Sequence, residues 1–146
     1  MRFWDTSALV PLLLKESTSP TARQVFSDDS DIEVWWGTSI ECTAAIARAE
    51  RDARIDREGM TDALAGLRLL QGGWSEMDAT VRLRESAERL ARVHPLRAAD
   101  SMQLASAIAA ADGVPSEMPL VTLDDRLTLA AEKEGFPVVR FDRAPS

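Results

Sequence analysis

Cysteine, histidine and lysine are nearly missing from this chain, and each scarcity narrows what it can be. The single cysteine, Cys42, excludes an internal disulfide framework and a thiolate metal cluster, and it reads as a small apolar residue. The single histidine, His94, has no nucleophile beside it in the sequence and reads as a residue that caps or packs. Lysine occurs only at Lys15 and Lys133, so the other basic residues are all arginine. Guanidinium suits phosphate, but such a skew also follows from genome base composition. No apolar run approaches the ~20 residues of a membrane span. The first residues look like a strand, not like a charged region, apolar stretch and cleavage site of the secretory kind. These absences favour a cytoplasmic protein with no membrane partner.

What is present is acid and a core. The formal net charge is −7 and the pI is near 4.7. That balance argues against broad, nonspecific nucleic-acid binding through phosphate neutralisation. It leaves a nucleic-acid substrate open, because clustered carboxylates loaded with divalent cations invert the local field. At 146 residues and 45% hydrophobic content, one packed core is expected, as a single domain over 1–146. Neither repeats nor a long linker interrupt it.

Strands and helices alternate along the chain. Arg2-Phe3-Trp4-Asp5 reads as a short strand that turns at once into a helix from Ser7 to Glu16. A second helix runs from about Pro20 to Ser27, and Asp28-Asp29-Ser30-Asp31 is a solvated acidic loop. Ile32 to Trp36 is the next strand, and Thr38 opens a long helix to about Arg54. Met60, Ala63, Leu64, Leu67 and Leu70 mark an amphipathic helix ended by Gly72-Gly73. Trp74 to Met77 is a short strand, and Asp78 is positioned to cap the charged helix that carries Leu83, Ala87 and Leu90. That helix, rich in arginine, reads as a mostly solvated face. Pro119 to Leu123 is the strongest strand, Arg126 to Glu134 a helix stopped by Gly135, and Pro137 to Phe141 a last strand. This alternation predicts an α/β fold with a mainly parallel central sheet and helices on both faces.

Four acids stand at chosen places in that frame. Asp100 lies in Leu96-Arg97-Ala98-Ala99-Asp100-Ser101-Met102-Gln103-Leu104-Ala105-Ser106-Ala107-Ile108, where Leu104, Ala107, Ile108 and Ala111 fall within ~80° of it at ~100° per residue. An acid facing a core needs a cationic partner, a metal ion or backbone donors from a neighbouring loop. Asp5 and Asp124 each follow a strand, and in a parallel sheet the carboxyl ends share one edge, where ligands bind. Capping of the next helix also accounts for Asp5. Glu41 opens a helix; Thr38-x-x-Glu41 fits a capping box, a rival explanation for it. Brought together, such carboxylates form a hard, oxygen-only donor set suited to Mg²⁺ or Mn²⁺. That set activates water and stabilises a phosphodiester in in-line displacement. Thr6, Ser7, Ser39 and Thr122 are hydroxyls placed to orient carboxylates or waters.

The segments Phe3-Trp4-Asp5-Thr6-Ser7-Ala8-Leu9, Thr38-Ser39-Ile40-Glu41, the Asp100 stretch and Leu120-Val121-Thr122-Leu123-Asp124-Asp125-Arg126-Leu127 together resemble a PIN-domain ribonuclease, most closely the VapC-type toxins of bacterial toxin–antitoxin pairs. The likeness spans nearly the whole chain in order and spacing. It implies a three-layer α/β/α fold, with Asp5, Glu41, Asp100 and Asp124 as a catalytic quartet holding one or two Mg²⁺ ions, or Mn²⁺ in their place. Asp125 is an unaligned neighbour that substitutes for Asp124 or assists it. The resemblance further implies a homodimer, cleavage of structured RNA such as tRNA or rRNA, and a cognate antitoxin that plugs the groove. An acidic pI departs mildly from expectation for an RNA enzyme. A haloacid-dehalogenase-type phosphatase would need a second acid where Ser7 stands. A receiver domain would need paired acids after the first strand and a lysine after a later one. The remaining rival is a catalytically idle PIN-fold binding or dimerisation module. His94→Ala is expected to leave RNA turnover within a few fold of the parent; a collapse would restore histidine as general base.

Overall fold

A computed structural model describes residues 1–141. The first strand, β1 (Arg2–Trp4), already sets out two faces, because successive side chains point opposite ways. Phe3 packs on one side with Leu83, Leu90, Leu104 and Leu127. Trp4 packs on the other with Leu9, Ile46 and Leu67. The same alternation recurs at the fourth strand, β4 (Leu120–Val121), where Leu120 joins the first cluster and Val121 the second.

Between β1 and β4 lie α1 (Thr6–Leu13), α2 (Ser19–Asp28), β2 (Ile32–Trp35), α3 (Thr38–Arg51), α4 (Arg57–Gly73), β3 (Ser75–Met77), α5 (Val81–Val93) and α6 (Ala98–Ala111); α7 (Asp125–Lys133) and β5 (Val138–Val139) follow β4. All strand pairings are parallel, in the order β3-β2-β1-β4-β5. Helices α1 to α4 supply the cluster around Trp4, and α5 to α7 supply the one around Phe3. The fold is therefore a three-layer α/β/α sandwich. The chain leaves β1 toward β2 and later returns to the far side of β1 as β4. A crevice opens at such a reversal, at the carboxyl ends of the two strands. The register pairs Trp4 with Val121, which sets Asp5 level with Thr122.

Several boundaries differ from those read in the sequence, each for a local reason. α3 stops at Arg51 because Ala53 turns left-handed (φ 58°) and the Arg54 N–H returns to the Ala49 carbonyl at 2.9 Å. Gly72 and Gly73 lie inside the last turn of α4, and Trp74 ends it in extended conformation. α5 is capped by Thr80, whose hydroxyl accepts the Leu83 N–H at 3.1 Å, and not by Asp78. β4 and β5 are two residues each, shorter than the apolar runs that contain them. α6 is buried nearly all round: Ser101, Gln103, Ala105 and Ser106 join Leu104 and Ala107, whereas Ile108 and Ala111 are only half-buried. Gly135 follows α7 with φ 96°, the left-handed region that suits glycine. No helix among the described residues is long and apolar enough to cross a membrane.

The capping assignment is open to direct test. Thr80→Ala is expected to cost about 1 kcal/mol in denaturant unfolding, whereas Asp78→Ala should stay within about 0.5 kcal/mol.

Candidate active site

Asp5 leaves β1 and caps α1 while 5% exposed. The capping bond itself is long: the Ser7 N–H reaches Oδ2 at 3.4 Å. Two hydroxyls hold the same oxygen more closely, Ser7 Oγ at 2.5 Å and Thr122 Oγ1 at 2.8 Å. Each hydroxyl accepts in turn from the loop after β4: Leu123 N–H donates to Ser7 at 2.9 Å, and Asp124 N–H donates to Thr122 at 3.0 Å. The β1–α1 and β4–α7 turns are thus laced together through one carboxylate. Capping alone does not describe Asp5.

The other acids stand around the same rim. Asp124 caps α7, its Oδ1 accepting the Leu127 N–H at 2.8 Å. Asp100, in the first turn of α6, accepts the Arg97 N–H on Oδ2 at 3.4 Å. Glu41, in the first turn of α3, accepts Trp35 Nε1 at 2.8 Å and Gln103 Nε2 at 3.0 Å, both on Oε1. The Thr38–Glu41 capping box does not form. Gly37 is the cap of α3, Thr38 lies within the helix, and its hydroxyl is buried without a partner.

Their charges are felt mutually. Burial raises the Asp5 carboxyl above its ordinary value despite the Ser7 and Thr122 bonds, and the charge of Asp100 adds to the rise. Burial also raises Glu41, with Asp5 and Asp100 contributing. Asp100 is raised by burial first and by Asp124 next. The ion pairs among the described residues lie elsewhere: the N-terminal amine with Asp29 and Asp31, Arg89 with Glu134, and Arg140 with Glu132. Among the described residues none of the four acids forms an ion pair with a basic side chain, although the charges of Arg97 and Arg126 offset part of the rise at Asp100.

This donor set suits a hard divalent ion in chemistry. Each carboxylate commits one oxygen to the protein bonds above and leaves the other out of them. Among the described residues, however, no three His, Cys, Asp or Glu side chains already stand where they would grip one ion. The fit therefore rests on the donors and their unsatisfied charge.

No family model matches the chain. Two Mycobacterium tuberculosis proteins, Ribonuclease VapC45 and Ribonuclease VapC49, are each 32% identical to it over 111 residues, 75% of this chain and 76% of theirs. The chain belongs to the VapC ribonuclease family. Among solved structures, VapC20 of M. tuberculosis, described as a sarcin–ricin loop cleaving toxin, gives a TM-score of 0.68 at 18% identity, covering 93% of this chain and 96% of that one. FitAcB of Neisseria gonorrhoeae gives 0.60 at 17% identity, covering 96% and 97%. At those identities the likeness is one of fold.

Within this VapC chain, the supporting residues divide. Ser7 and Thr122 bond Asp5 directly, and the Thr6 hydroxyl accepts from Gln103, which also holds Glu41. Ser39 does not join them: its carbonyl accepts from Thr43 at 2.7 Å, and it lines a shallow groove with Ile40, Ala44 and Arg68. Asp125 is exposed at the start of α7 and lines a cavity of about 910 Å³ with Thr18, Leu123, Arg140 and Phe141. His94 is the cap at the end of α5, its Nε2 3.2 Å from Glu134. No sequence motif marks Trp35 and Gln103 as partners of Glu41. The available signal was spacing, since Gln103 is three residues beyond Asp100 on one helix.

The raised acids set a sign for pH. A carboxyl whose folded value exceeds its unfolded one stabilises fully below the unfolded value, near pH ~4, and that contribution is lost as pH rises through the folded value. Without divalent ions, Asp5→Asn is expected to raise the melting temperature near pH ~8 and to leave it almost unchanged near pH ~4. Thermal melts in chelator check this, and a lower melting temperature for Asp5→Asn at the alkaline end contradicts it.

Proposed function

We propose that residues 1–146 form one nuclease domain, a metal-dependent endoribonuclease that is the toxin of a toxin–antitoxin pair working in the cytoplasm. Asp5, Glu41, Asp100 and Asp124 would hold Mg²⁺, with Mn²⁺ able to replace it, while Thr6, Ser7, Thr122 and Asp125 support them. The observation that carries this reading is the rim of four acids, each with an oxygen left over and, among the described residues, none in an ion pair with a basic side chain. When bound, the ion supplies a water nucleophile at neutral pH and charge stabilisation for the phosphodiester in in-line displacement. The chain's own part is positioning. Ser7 and Thr122 keep one oxygen of Asp5 fixed, and the α7 cap keeps one oxygen of Asp124 fixed. The N-termini of α6 and α7 bring backbone N–H groups to the same rim, where a phosphate is favoured. VapC20, a sarcin–ricin loop cleaving toxin of the same fold, favours structured RNA, such as rRNA or tRNA, as the substrate here. A homodimer and an antitoxin that fills the groove complete the proposal.

Asp100→Asn is expected to reduce RNA cleavage by about 100-fold or more while the melting temperature stays equal or rises. Mn²⁺ should raise the melting temperature of the parent through binding to the folded state, and should do so far less for Asp100→Asn. Sequenced RNA ends after brief expression should carry 5′-phosphate on one side of the cut and 3′-hydroxyl on the other. Turnover equal to the parent in purified Asp100→Asn overturns the assignment. A parent that neither cuts RNA nor responds to Mn²⁺ would be an idle binding module.

A further inference from the structure

Glu41 differs from the other three acids in how it is held. Backbone N–H groups and hydroxyls fasten Asp5, Asp100 and Asp124, whereas side-chain nitrogens fasten Glu41. Both nitrogens are neutral donors, from Trp35 at 2.8 Å and Gln103 at 3.0 Å, and both meet Oε1.

Packing does not explain the chemistry of Gln103. It is 1% exposed, and its amide nitrogen also donates to Thr6 Oγ1 at 3.1 Å, so both hydrogens are engaged. Its carbonyl oxygen is buried without a partner, an unfavourable state that an apolar residue of the same size would avoid. Turning the amide over would set that oxygen against the Glu41 carboxylate, so the donor orientation is the one the surroundings select. An amide kept at such a position serves its N–H groups.

Trp35 is placed with equal care by its neighbour. A Cβ on residue 37 would stand 2.1 Å from Cζ2 of the Trp35 ring and 2.6 Å from Cε2 and Cη2. The backbone of Gly37, at φ −81°, is one that any residue adopts. Glycine is required there because the indole occupies the space of a side chain. The ring lies across the first residue of the α3 cap, and its N–H meets Glu41 one turn on.

We propose that Trp35 and Gln103, with the room left by Gly37, are positioning residues that clamp Oε1 of Glu41 and so leave Oε2 set for the ion. The inference rests on the reading of Glu41 as a metal-holding acid. A glutamate has three side-chain torsions, and two donors from different elements, β2 and α6, remove most of that freedom.

The test uses purified full chain with Gln103→Met, Trp35→Phe, Gly37→Ala and Glu41→Gln. Gln103→Met and Trp35→Phe should each lower kcat about tenfold and raise the Mn²⁺ concentration for half-maximal thermal stabilisation about tenfold. KM for RNA should stay within about twofold, since substrate binding is not what they control. In the Glu41→Gln background, Gln103→Met should change kcat by less than about twofold, because its effect runs through Glu41. Gly37→Ala should reproduce Trp35→Phe in direction; should Gln103→Met fail to fold, these two variants carry the test. If Glu41→Gln lowers turnover but the clamp variants match the parent, or their effects simply add to it, the inference is overturned and the acidic site stands. If Glu41→Gln itself matches the parent in turnover and Mn²⁺ response, the acidic site as read is wrong.

Discussion

Four helices begin where the four carboxylates stand. Asp5 caps α1, Glu41 lies in the first turn of α3, Asp100 in that of α6, and Asp124 caps α7. This arrangement lets a VapC-family fold keep acids together with no basic side chain bonded to them among the described residues. Each helix start favours a nearby negative charge by about 0.3–1 kcal/mol. Repulsion works the other way, between Asp5 and Asp100, between Glu41 and both of them, and between Asp100 and Asp124. The helix ends therefore soften the repulsion and do not cancel it. Burial first, and the neighbouring acids after it, displace Asp5, Glu41 and Asp100 upward, which is a standing demand for protons or for cations.

The sheet decides which helices can start together. Reversal of direction at β1 brings β4 beside it, so the turns after both strands open on one crevice. Ser7 and Thr122 fasten those turns to each other through Asp5, which makes this half of the rim rigid. The other half is built differently. There α3 and α6 belong to opposite layers, and Gln103 of α6 reaches both Thr6 of α1 and Glu41 of α3. Asp5 is fixed by the hydroxyls of the two turns that meet at it, and Glu41 by side chains reaching in from β2 and α6.

That difference also explains what could be read from the sequence. Asp5 and Asp124 were legible because a strand followed by an N-cap is a local pattern, with its signal in a handful of consecutive residues. The two layers were legible for a similar reason, since alternation in Phe3-Trp4 and Leu120-Val121 sends side chains to opposite faces. Glu41 was seen, but its geometry was not. Thr38-x-x-Glu41 has the form of a capping box, and only the tertiary placement of Trp35 and Gln103 diverts the carboxylate. Gln103 was hidden by its setting among alanines and serines on α6, whose burial on nearly every side follows from α5 packing over it. Periodicity finds one buried stripe and misses a helix enclosed by a neighbour. Ser39 shows the converse, a hydroxyl close to Glu41 in the chain that faces a different groove.

The bond from Thr122 to Asp5 closes a loop of 117 residues. A chain emerging from the ribosome presents its amino-terminal segment first, at a few residues per second to a few tens. Through most of that interval β1 lacks its β4 neighbour, and the Asp5 side of the crevice has no opposite wall. Helices α1 to α4 have their sequence available early, but the rim around Asp5 is complete only once residues 120–124 have also emerged. Whatever chemistry rests on the four acids together therefore has to wait for Asp124, however early Asp5 is made.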